Sequence, residues 1–422
     1  MFAYRKNELI SPQNMDSAKF YDTIIIGAGP SGLFAGAMLN KGRCLILEKN
    51  RQPGQKLLIS GTGQCNFTHA GPIHQFLDHY GDNYRFLKPS FSAFNNHELI
   101  AFFGKHGIKA VEDKNGKIFP SSLKAGDILN TLLNICHRKG VVIATATPAQ
   151  GVEKTENAFI VKTQDFIYQA KNLLITTGGL SYPSTGSTGD GYRFATTLGH
   201  TIIETRPALC PVIIRAYPFA GLSGVSIDAA EISIYRNNQK IKSHKGDIGF
   251  TLNGLTGPGI LDFSRNFKDG DTLKINLCGM NGPDLEQLFK QTADSAGKTP
   301  LHTFLKKTGM PRSLMLTIIE QAGIHAEKPL AEISKSDRIR LVKLCSEFPC
   351  VIEKTAGYKR AMATAGGVST EEISPKTMQS RLIPHLYFAG EVLDIDGDTG
   401  GYNLQAAFST AFLAAQSINK AE

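Results

Sequence analysis

Apolar positions follow two kinds of pattern, and the change between them comes near residue 200. Thr23–Ile26 is a short unbroken apolar run, the kind a parallel strand buried on both faces requires. A glycine-rich turn follows, then helix-compatible spacing over Leu33–Asn40 and a second strand at Cys44–Leu47. Helices are expected near 96–105 and 124–138, with a strand at Val141–Ala144. Residues 149–170 alternate through Val152, Phe159, Val161, Phe166, Ile167 and Tyr168, which predicts a short antiparallel meander. "NLLITTGG" (172–179) reads as a strand ending in a glycine turn. From 207 to 280 the pieces "CPVIIRA", "AAEISIYRN", "IGFTLNG" and "TLKINLCG" predict short strands. From 284 to 350, "DLEQLFKQ", "LHTFLKKTG", "RSLMLTIIEQAG" and "RIRLVKLCSEF" predict helices. Strand character and glycine loops return at 355–400, before a last apolar helix. The pattern predicts an α/β domain split in sequence (20–203 and 355–422) around a β-rich and helical insertion (204–354).

Composition adds few constraints. Apolar content of 41% and charged content of 20% suit a soluble globular chain. Glycine makes up 42 of 422 residues and clusters in a few loops, as close backbone approach to a ligand demands. The net charge of +9 favours anionic partners, while a mildly basic enzyme explains it equally well. Residues 85–124 sharpen the question. Arg85, Lys88, Lys105, Lys109, Lys114, Lys117 and Lys124 stand against Glu98, Glu112 and Asp113, with six phenylalanines between them. Cations beside aromatic rings suit RNA, but Phe102 and Phe103 follow Leu99 on an expected helix, so most of these rings read as core. Seven dispersed cysteines without a CxxC argue for reduced thiols in a cytoplasm. The first 20 residues show no apolar leader core, and no apolar run approaches ~18 residues, so a cytoplasmic chain without a membrane span is expected.

The strongest local signal is "GAGPSG". Gly27, Gly29 and Gly32 have G-x-G-x-x-G spacing, follow a strand, and open a helix through Pro30 and Ser31. A second strand then ends in Glu48, 21 residues after Gly27. Gly27 permits the tight turn, Gly29 lets the backbone approach a pyrophosphate, and Gly32 lets helix and strand pack closely. The helix N-terminus offers N–H groups and a positive dipole to the anion. Glu48 can accept from a ribose diol. Dinucleotide binding is the expectation.

The far end of the chain decides which dinucleotide. In "HLYFAGEVLDIDGDTGGYNLQAAFSTAFLAA" (385–415) a strand ends at Gly390-Glu391, and a helix starts near Tyr402 after Gly400-Gly401. This resembles the second signature of two-dinucleotide-fold flavoproteins, with Glu391 in place of the usual Asp. That resemblance turns the N–H groups around Tyr402, Asn403 and Leu404 toward the flavin. "LLITTGG", with Thr177 and Gly178, resembles the third flavoprotein signature, Thr176 replacing Ala. FAD is the expected cofactor.

Taken together, "GAGPSGL", "GQKLLISGTGQCNFT", "GKIFPSS", "TTGGLSYPSTGSTGDGY", "GDIGFTLNGLTGPGILDFS" and "TAGGVSTEEI…YFAGEVLDIDGDTGGYNLQAAFSTA" resemble the BaiN/RdsA family of bacterial NAD(P)/FAD-dependent oxidoreductases, also labelled aminoacetone oxidase-like. The segments spread over nearly the whole chain. Gln55 and Gln64 depart from the arginines that family members often carry. The resemblance implies a Rossmann-like, glutathione-reductase-like FAD domain interrupted by a β-barrel (about 207–280) and a small helical lobe (about 284–350). It implies hydride traffic through a flavin, with NAD(P)H as transient reductant. Members are linked to dihydrouridine formation in ribosomal RNA, to amine oxidation and to bile-acid reduction. The basic charge favours the RNA branch: reduction of uridine to dihydrouridine in 23S rRNA. The alternatives are an oxidase or dehydrogenase of a small amine or enone, and a non-enzymatic, flavin-stabilised RNA-binding factor.

On this frame "GQKLLISGTGQCNFTH" (54–69) carries the chain from Glu48 along the FAD. Lys49, Lys56, Ser60, Thr62, Gly63 and Asn66 are candidate cofactor contacts, Lys56 as a cation for the pyrophosphate, and Ala149 joins them from the loop beyond the third strand. Cys65 is the candidate proton donor, since reduction of a C=C bond needs a proton as well as a hydride; the alternative is a small buried thiol filling a turn. His69, His74 and His79 do not share a helical face and lack a fourth partner, so no metal is expected. Cys345 and Cys350 read as core and turn, and "GLSYPSTGSTGDGY" (179–192) as a loop that lines the flavin or is merely ordered.

Overall fold

Thr23 to Ile26 are buried in β1 (Lys19–Ile26), which runs through the glycine turn into α1 (Pro30–Met38) and back through β2 (Cys44–Leu47). The structure, a computed structural model, describes residues 19–40, 42–113 and 115–421; Lys114 and residues 1–18, most of the stretch read for a leader, lie outside them. Next come α2 (Tyr84–Ala93), α3 (Asn96–Lys105), α4 (Ala125–Arg138) and β3 (Val142–Ala144). Then follow β4 (Gly151–Lys154), β5 (Phe159–Lys162), β6 (Ile167–Ile175) and α5 (Asp190–Thr197). The next stretch holds β7 (Val212–Ile214), β8 (Ser226–Arg236), β9 (Gln239–Phe250), β10 (Gly254–Thr256) and β11 (Thr272–Ile275). It continues with α6 (Gly282–Ala296), α7 (Arg312–Gln321), α8 (Lys335–Ser346) and β12 (Phe348–Thr355). β13 (Leu386–Phe388) and α9 (Tyr402–Lys420) complete the chain.

Contacts divide the chain into two compact units, one of residues up to Thr205 and from Thr364, the other Arg206–Ala363. The first is a Rossmann-type α/β unit. Its seven-stranded sheet has the order β3-β2-β1-β6-β5-β4, with β13 also paired to β6. β3, β2, β1, β6 and β13 are parallel, while β4 and β5 form an antiparallel extension. The meander strand and "NLLIT", expected as separate pieces, are one strand. One edge of β6 pairs with β1 throughout; the other pairs with β5 over Ile167–Ala170 and with β13 over Leu173–Ile175. A strand serving two partners on one edge has no break that periodicity can register.

α9 is buried around most of its circumference, Gln405, Ser409 and Thr410 included, as a helix enclosed by other elements is. Phe408 meets Phe34 of α1 at 5.1 Å between ring centres and Phe103 of α3 at 5.8 Å, and Phe412 stacks on Phe94 at 4.6 Å. α3 starts from a capping box in which Asn95 and Glu98 serve each other's backbone N–H.

The second unit is a closed six-stranded barrel, β7-β10-β9-β8-β11-β12, with a helical lobe. Its last strand comes from 348–355, after the lobe, so the barrel is not confined to 207–280. "FPCVIEKT" could only be placed by its two antiparallel neighbours, β7 and β11. Barrel and lobe share one apolar cluster, in which Ile232, Ile248 and Ile352 join Leu285, Phe289 and Leu314. Cys345 and Cys350 are both buried in it.

Phe408 has no exposed surface and bridges three helices. Phe408→Ala should therefore lower the unfolding free energy of the α/β unit by about 3–5 kcal/mol. Urea denaturation followed by far-UV circular dichroism checks this; a loss below ~1 kcal/mol would contradict the packing described.

Candidate functional site

The turn after β1 is built by contact. Gly27 has φ +104°, and its N–H donates to Leu47 O at 2.8 Å. Thr176, just past β6, donates its hydroxyl to Ile26 O (3.0 Å) and Gly27 O (2.9 Å). A Cβ on Gly27 would stand 2.7 Å from Thr176 O, and one on Gly32 would overlap Gly27 O. Gly29 differs: its φ is −78°, and a Cβ there would meet nothing within 4 Å. It faces open space at the start of α1, which no side chain caps and whose first turn has no acid. Pro30 lacks an N–H, and Ser31 and Gly32 follow it. This is the geometry for backbone approach to an anion. Glu48, buried at the end of β2, accepts from Ala28 N–H (2.9 Å) and Asn50 N–H (2.8 Å), one on each oxygen. Each oxygen keeps acceptor capacity for a diol.

The two glycine-rich ends of the chain meet here. Gly390 has φ +78°, and a Cβ on it would collide with the Ser31 hydroxyl. Its N–H donates to Thr410 Oγ1 at 3.0 Å, tying the segment to α9. Glu391 accepts from Lys56 Nζ (2.6 Å), the Ser181 hydroxyl (2.7 Å) and Thr364 N–H (2.9 Å). Lys56 also donates to Ser181, and Thr364 Oγ1 accepts from Leu180 N–H (2.8 Å) and Ser181 N–H (3.1 Å). Lys49 pairs with Asp190 of α5 at 2.7 Å and donates to Thr188. Thr177 and Gly178 are half-buried between these groups, and Thr177 Oγ1 abuts Gly191. Ala149 is half-buried on the loop between β3 and β4. Ser181, Thr188, Asp190 and Thr364 were not singled out from the sequence. Ser181, Thr188 and Asp190 lie in the hydroxyl-rich loop at 179–192, which was their only signal.

"GTGQCNFTH" is a run of left-handed backbone. Gly61, Thr62, Gly63 and Cys65 have φ of +54°, +55°, +87° and +61°. For Thr62, which is β-branched, that conformation is rare. Ser60 donates to Leu57 O, and Thr62 and Gly61 are exposed. Cys65, the candidate proton donor, has no exposed surface, and burial pushes its thiol up to about 12. Its place is that of a small packed thiol. Asn66 Oδ1 is buried with no donor in reach among the described residues. It lies against Gly401 (φ +99°), where a Cβ would be 2.8 Å from it. Gly401 caps α9, and no side chain caps the helix; Gly400 precedes it with φ +120°. Asn403 is turned back onto Gly397, accepting from its N–H (2.8 Å) and donating to its carbonyl (2.9 Å). Leu404 is half-buried behind it.

His69 and His79 flank the ring of Tyr402, nearly parallel to it, at 5.1 and 4.0 Å between centres. They serve as packing for the start of α9, and Tyr80 donates to Tyr402 O at 2.6 Å. Among the described residues no group of three or more His, Cys, Asp or Glu could hold a metal ion. Phe86, Phe91, Phe94 and Phe103 of the basic stretch are buried, so they offer no stacking surface to RNA. No helix among the described residues is long and apolar enough to cross a membrane.

The residues fit FAD on three observations: the open Gly29 at an uncapped helix start, the fixed Glu48 carboxylate, and the orphaned Asn66 oxygen beside a second uncapped helix. Comparison with known proteins agrees with that fit. The family model described as "HI0933-like protein Rossmann domain" matches residues 21–417. A protein of Haemophilus influenzae named ribosomal RNA dihydrouridine synthase is 33% identical over 413 residues, 96% of this chain and 100% of its own. An Escherichia coli K12 protein of the same name is 30% identical, over 94% of this chain and 98% of its own. A 3-dehydro-bile acid delta(4,6)-reductase of Clostridium scindens is 29% identical, over 92% and 97%.

Two predictions follow from this geometry. Gly29→Ala should leave the fold intact yet lower bound flavin per chain several-fold, read from the visible-to-280 nm absorbance ratio. Gly32→Ala should fail to give a stable α/β unit. Equal flavin content in wild type and Gly29→Ala would argue against approach at that glycine. The buried cysteines give a pH dependence. Cys65, Cys136 and Cys350 are each raised to about 12 by burial. Unfolded thiols lose protons near ~8.5, so between that value and 12 the unfolded chain binds fewer protons and stability falls as pH rises. The melting temperature should hold up to about pH 8.5 and fall above it, the fall becoming shallower in Cys65→Ala.

Proposed function

The chain belongs to the HI0933-like Rossmann-domain family, and from that premise we propose that it reduces uridine to dihydrouridine in large-subunit ribosomal RNA, with FAD as cofactor and NAD(P)H as reductant. It is an oxidoreductase. The observation that carries the substrate assignment is the 33% identity to a ribosomal RNA dihydrouridine synthase over 96% of this chain and the whole of that protein. The glycine turn, the fixed Glu48 and the Gly390-Glu391 segment support the cofactor.

When bound, FAD would supply the hydride path between a nicotinamide and one carbon of the uracil C5=C6 bond, whose other carbon needs a proton. The chain's part is to hold the reactants. The Gly27–Gly32 turn and the N–H groups of α1 receive the pyrophosphate, and Glu48 receives the adenosine ribose. Gly390-Glu391, Thr177 and Gly178 would hold the cofactor from the segments after β13 and β6. Asn66, Gly400, Gly401 and the first N–H groups of α9 would hold its ring, where a helix dipole would favour negative charge. Ser60, Thr62 and Gly63 lie along the path between. Cys65 is left out of the proton path because it has no surface. An RNA substrate implies a cytoplasmic enzyme.

The test is reconstitution. Large-subunit rRNA from cells lacking the gene should gain two hydrogens at a uridine when incubated with the FAD-loaded protein and NADH or NADPH, as read by mass spectrometry of nuclease fragments. Unchanged rRNA, with flavin instead reoxidised rapidly by an enone or reduced by an amine, would replace this assignment with a small-molecule activity.

A further inference from the structure

None of the candidate cofactor residues lies in the β8–β9 hairpin of the barrel unit, and the hairpin's chemistry is one-sided. The ten residues from Arg236 to Lys245 hold Arg236, Lys240, Lys242, His244 and Lys245 and no acid. The strands are joined by Asn237 and Asn238 alone, both left-handed (φ +51° and +63°), with Arg236 opposite Gln239. Two left-handed turn residues make a tight turn that matches strand twist, so the tip is stiff. It is also pinned. Arg236 donates twice, at 2.8 Å each, to Asp271, which is 2% exposed, and donates to Asn266 O at 3.2 Å. Asp271 accepts in addition from Lys268 N–H.

The register assigns the faces. Tyr235, Ser233 and Glu231 of β8 stand opposite Lys240, Ser243 and Lys245 of β9, and Ser233 stands opposite Lys274 of β11. Partners directly across a ladder share a face. One face therefore carries Lys240, Lys245 and Lys274 around Tyr235, with Lys274 over the tyrosine ring at 4.3 Å. A register shift between Ile234 and Tyr235 skips Ile241, which is 48% exposed, and sets Lys242 opposite Ile234, on the other face from Lys240 and Lys245. Two acids border the patch: Glu347 pairs with Lys274 at 3.1 Å, and Glu231 lies across from Lys245. Lys240, Lys242 and Lys245 are exposed, and among the described residues none has a carboxylate within ion-pair distance. A stiff backbone and three exposed lysines without carboxylate partners match a phosphodiester chain, the chemistry of RNA.

We propose that the β8–β9 hairpin is an RNA-docking element that grips the phosphate backbone of the substrate through Lys240 and Lys245 on one face, with Lys242 adding charge from the other. This rests on the ribosomal RNA reading above and extends it to a named surface of the barrel unit. Lysine contacts of this kind add affinity without sequence preference and make binding steeply salt-dependent.

The test uses the FAD-loaded full chain and its Lys240→Glu/Lys242→Glu/Lys245→Glu variant. Large-subunit rRNA from cells lacking the gene is the probe, in filter binding from 50 to 300 mM salt, a range on the order of that over which such contacts are lost. The expected result is a loss of about tenfold or more in affinity at low salt. The slope of log affinity against log salt should become shallower by about 2. Flavin content and the rate of flavin reduction by NAD(P)H should be unchanged. The neutral Lys240→Gln/Lys242→Gln/Lys245→Gln variant should show the same slope change with a smaller loss. If wild type binds the RNA and the charge-reversed chain binds it equally with the same slope, the hairpin assignment is overturned and the substrate reading stands. If wild type itself does not bind the RNA, both fall.

Discussion

Three backbones meet at one point in the α/β unit, and the rest of the site depends on it. Gly27 follows β1, Gly32 lies in the first turn of α1, and Thr176 follows β6; a Cβ on either glycine would strike main-chain atoms. The Thr176 hydroxyl closes the junction by donating to Ile26 and Gly27 carbonyls. Because strand and helix touch there, α1 starts directly over the sheet edge, and its free N–H groups face the space beside Gly29. Because β6 is held in register with β1 from Lys19↔Tyr168 to Ile26↔Ile175, the loop at 177–191 emerges at the same height. β13 pairs with β6 up to Phe388↔Ile175, which brings Gly390 against Ser31. The convergence of distant segments thus follows from sheet register, not from attraction between the segments.

α9 holds the other side of the site through buried polar groups. Thr68 donates to Gln405 at 2.6 Å, Gln405 donates to Ser409 at 2.9 Å, and Ser409 donates to Phe94 O at 2.6 Å. Thr410, one residue on, donates to Ala406 O while accepting from Gly390 N–H. Gln405, Ser409 and Thr410 are all fully buried, so each hydrogen bond left unmade would cost about 1–3 kcal/mol. The network couples the 66–68 segment, α9 and the Gly390 turn, and sets where the uncapped start of α9 stands.

Much of this was legible in the sequence, for a physical reason. Fully buried parallel strands must be apolar on both faces, so Thr23–Ile26 and Cys44–Leu47 declare themselves. Glycine where nothing larger fits does the same for Gly27 and Gly32. What stayed hidden depends on partners rather than on local pattern. β12 is a strand because β7 and β11 flank it. Ser181 and Thr364 belong to the site because Glu391 and Lys56 reach them from other segments. Cys65 looked chemical because it sits among glycines, but the left-handed turn that those glycines permit buries its side chain.

The same partner dependence changes how the site handles charge. From the sequence, Lys56 reads as a cation for a pyrophosphate. In the fold it faces Glu391 at 2.6 Å, both side chains mostly shielded, while Lys49 is paired with Asp190. Each lysine is matched by a carboxylate, so the pairs contribute little net charge to an approaching anion. Attraction then falls to the fixed dipoles: the N–H groups at the starts of α1 and α9, neither of which is capped by a side chain. Dipoles of this kind act within the first helical turn and need no side-chain ordering on binding. They reward close approach rather than long-range steering, which is why open space beside Gly29 and Gly401's glycine-only contact with Asn66 matter more here than the count of lysines. Long-range attraction for a polyanion has to come from cations not already paired, and in the barrel unit Lys240, Lys242 and Lys245 meet that condition.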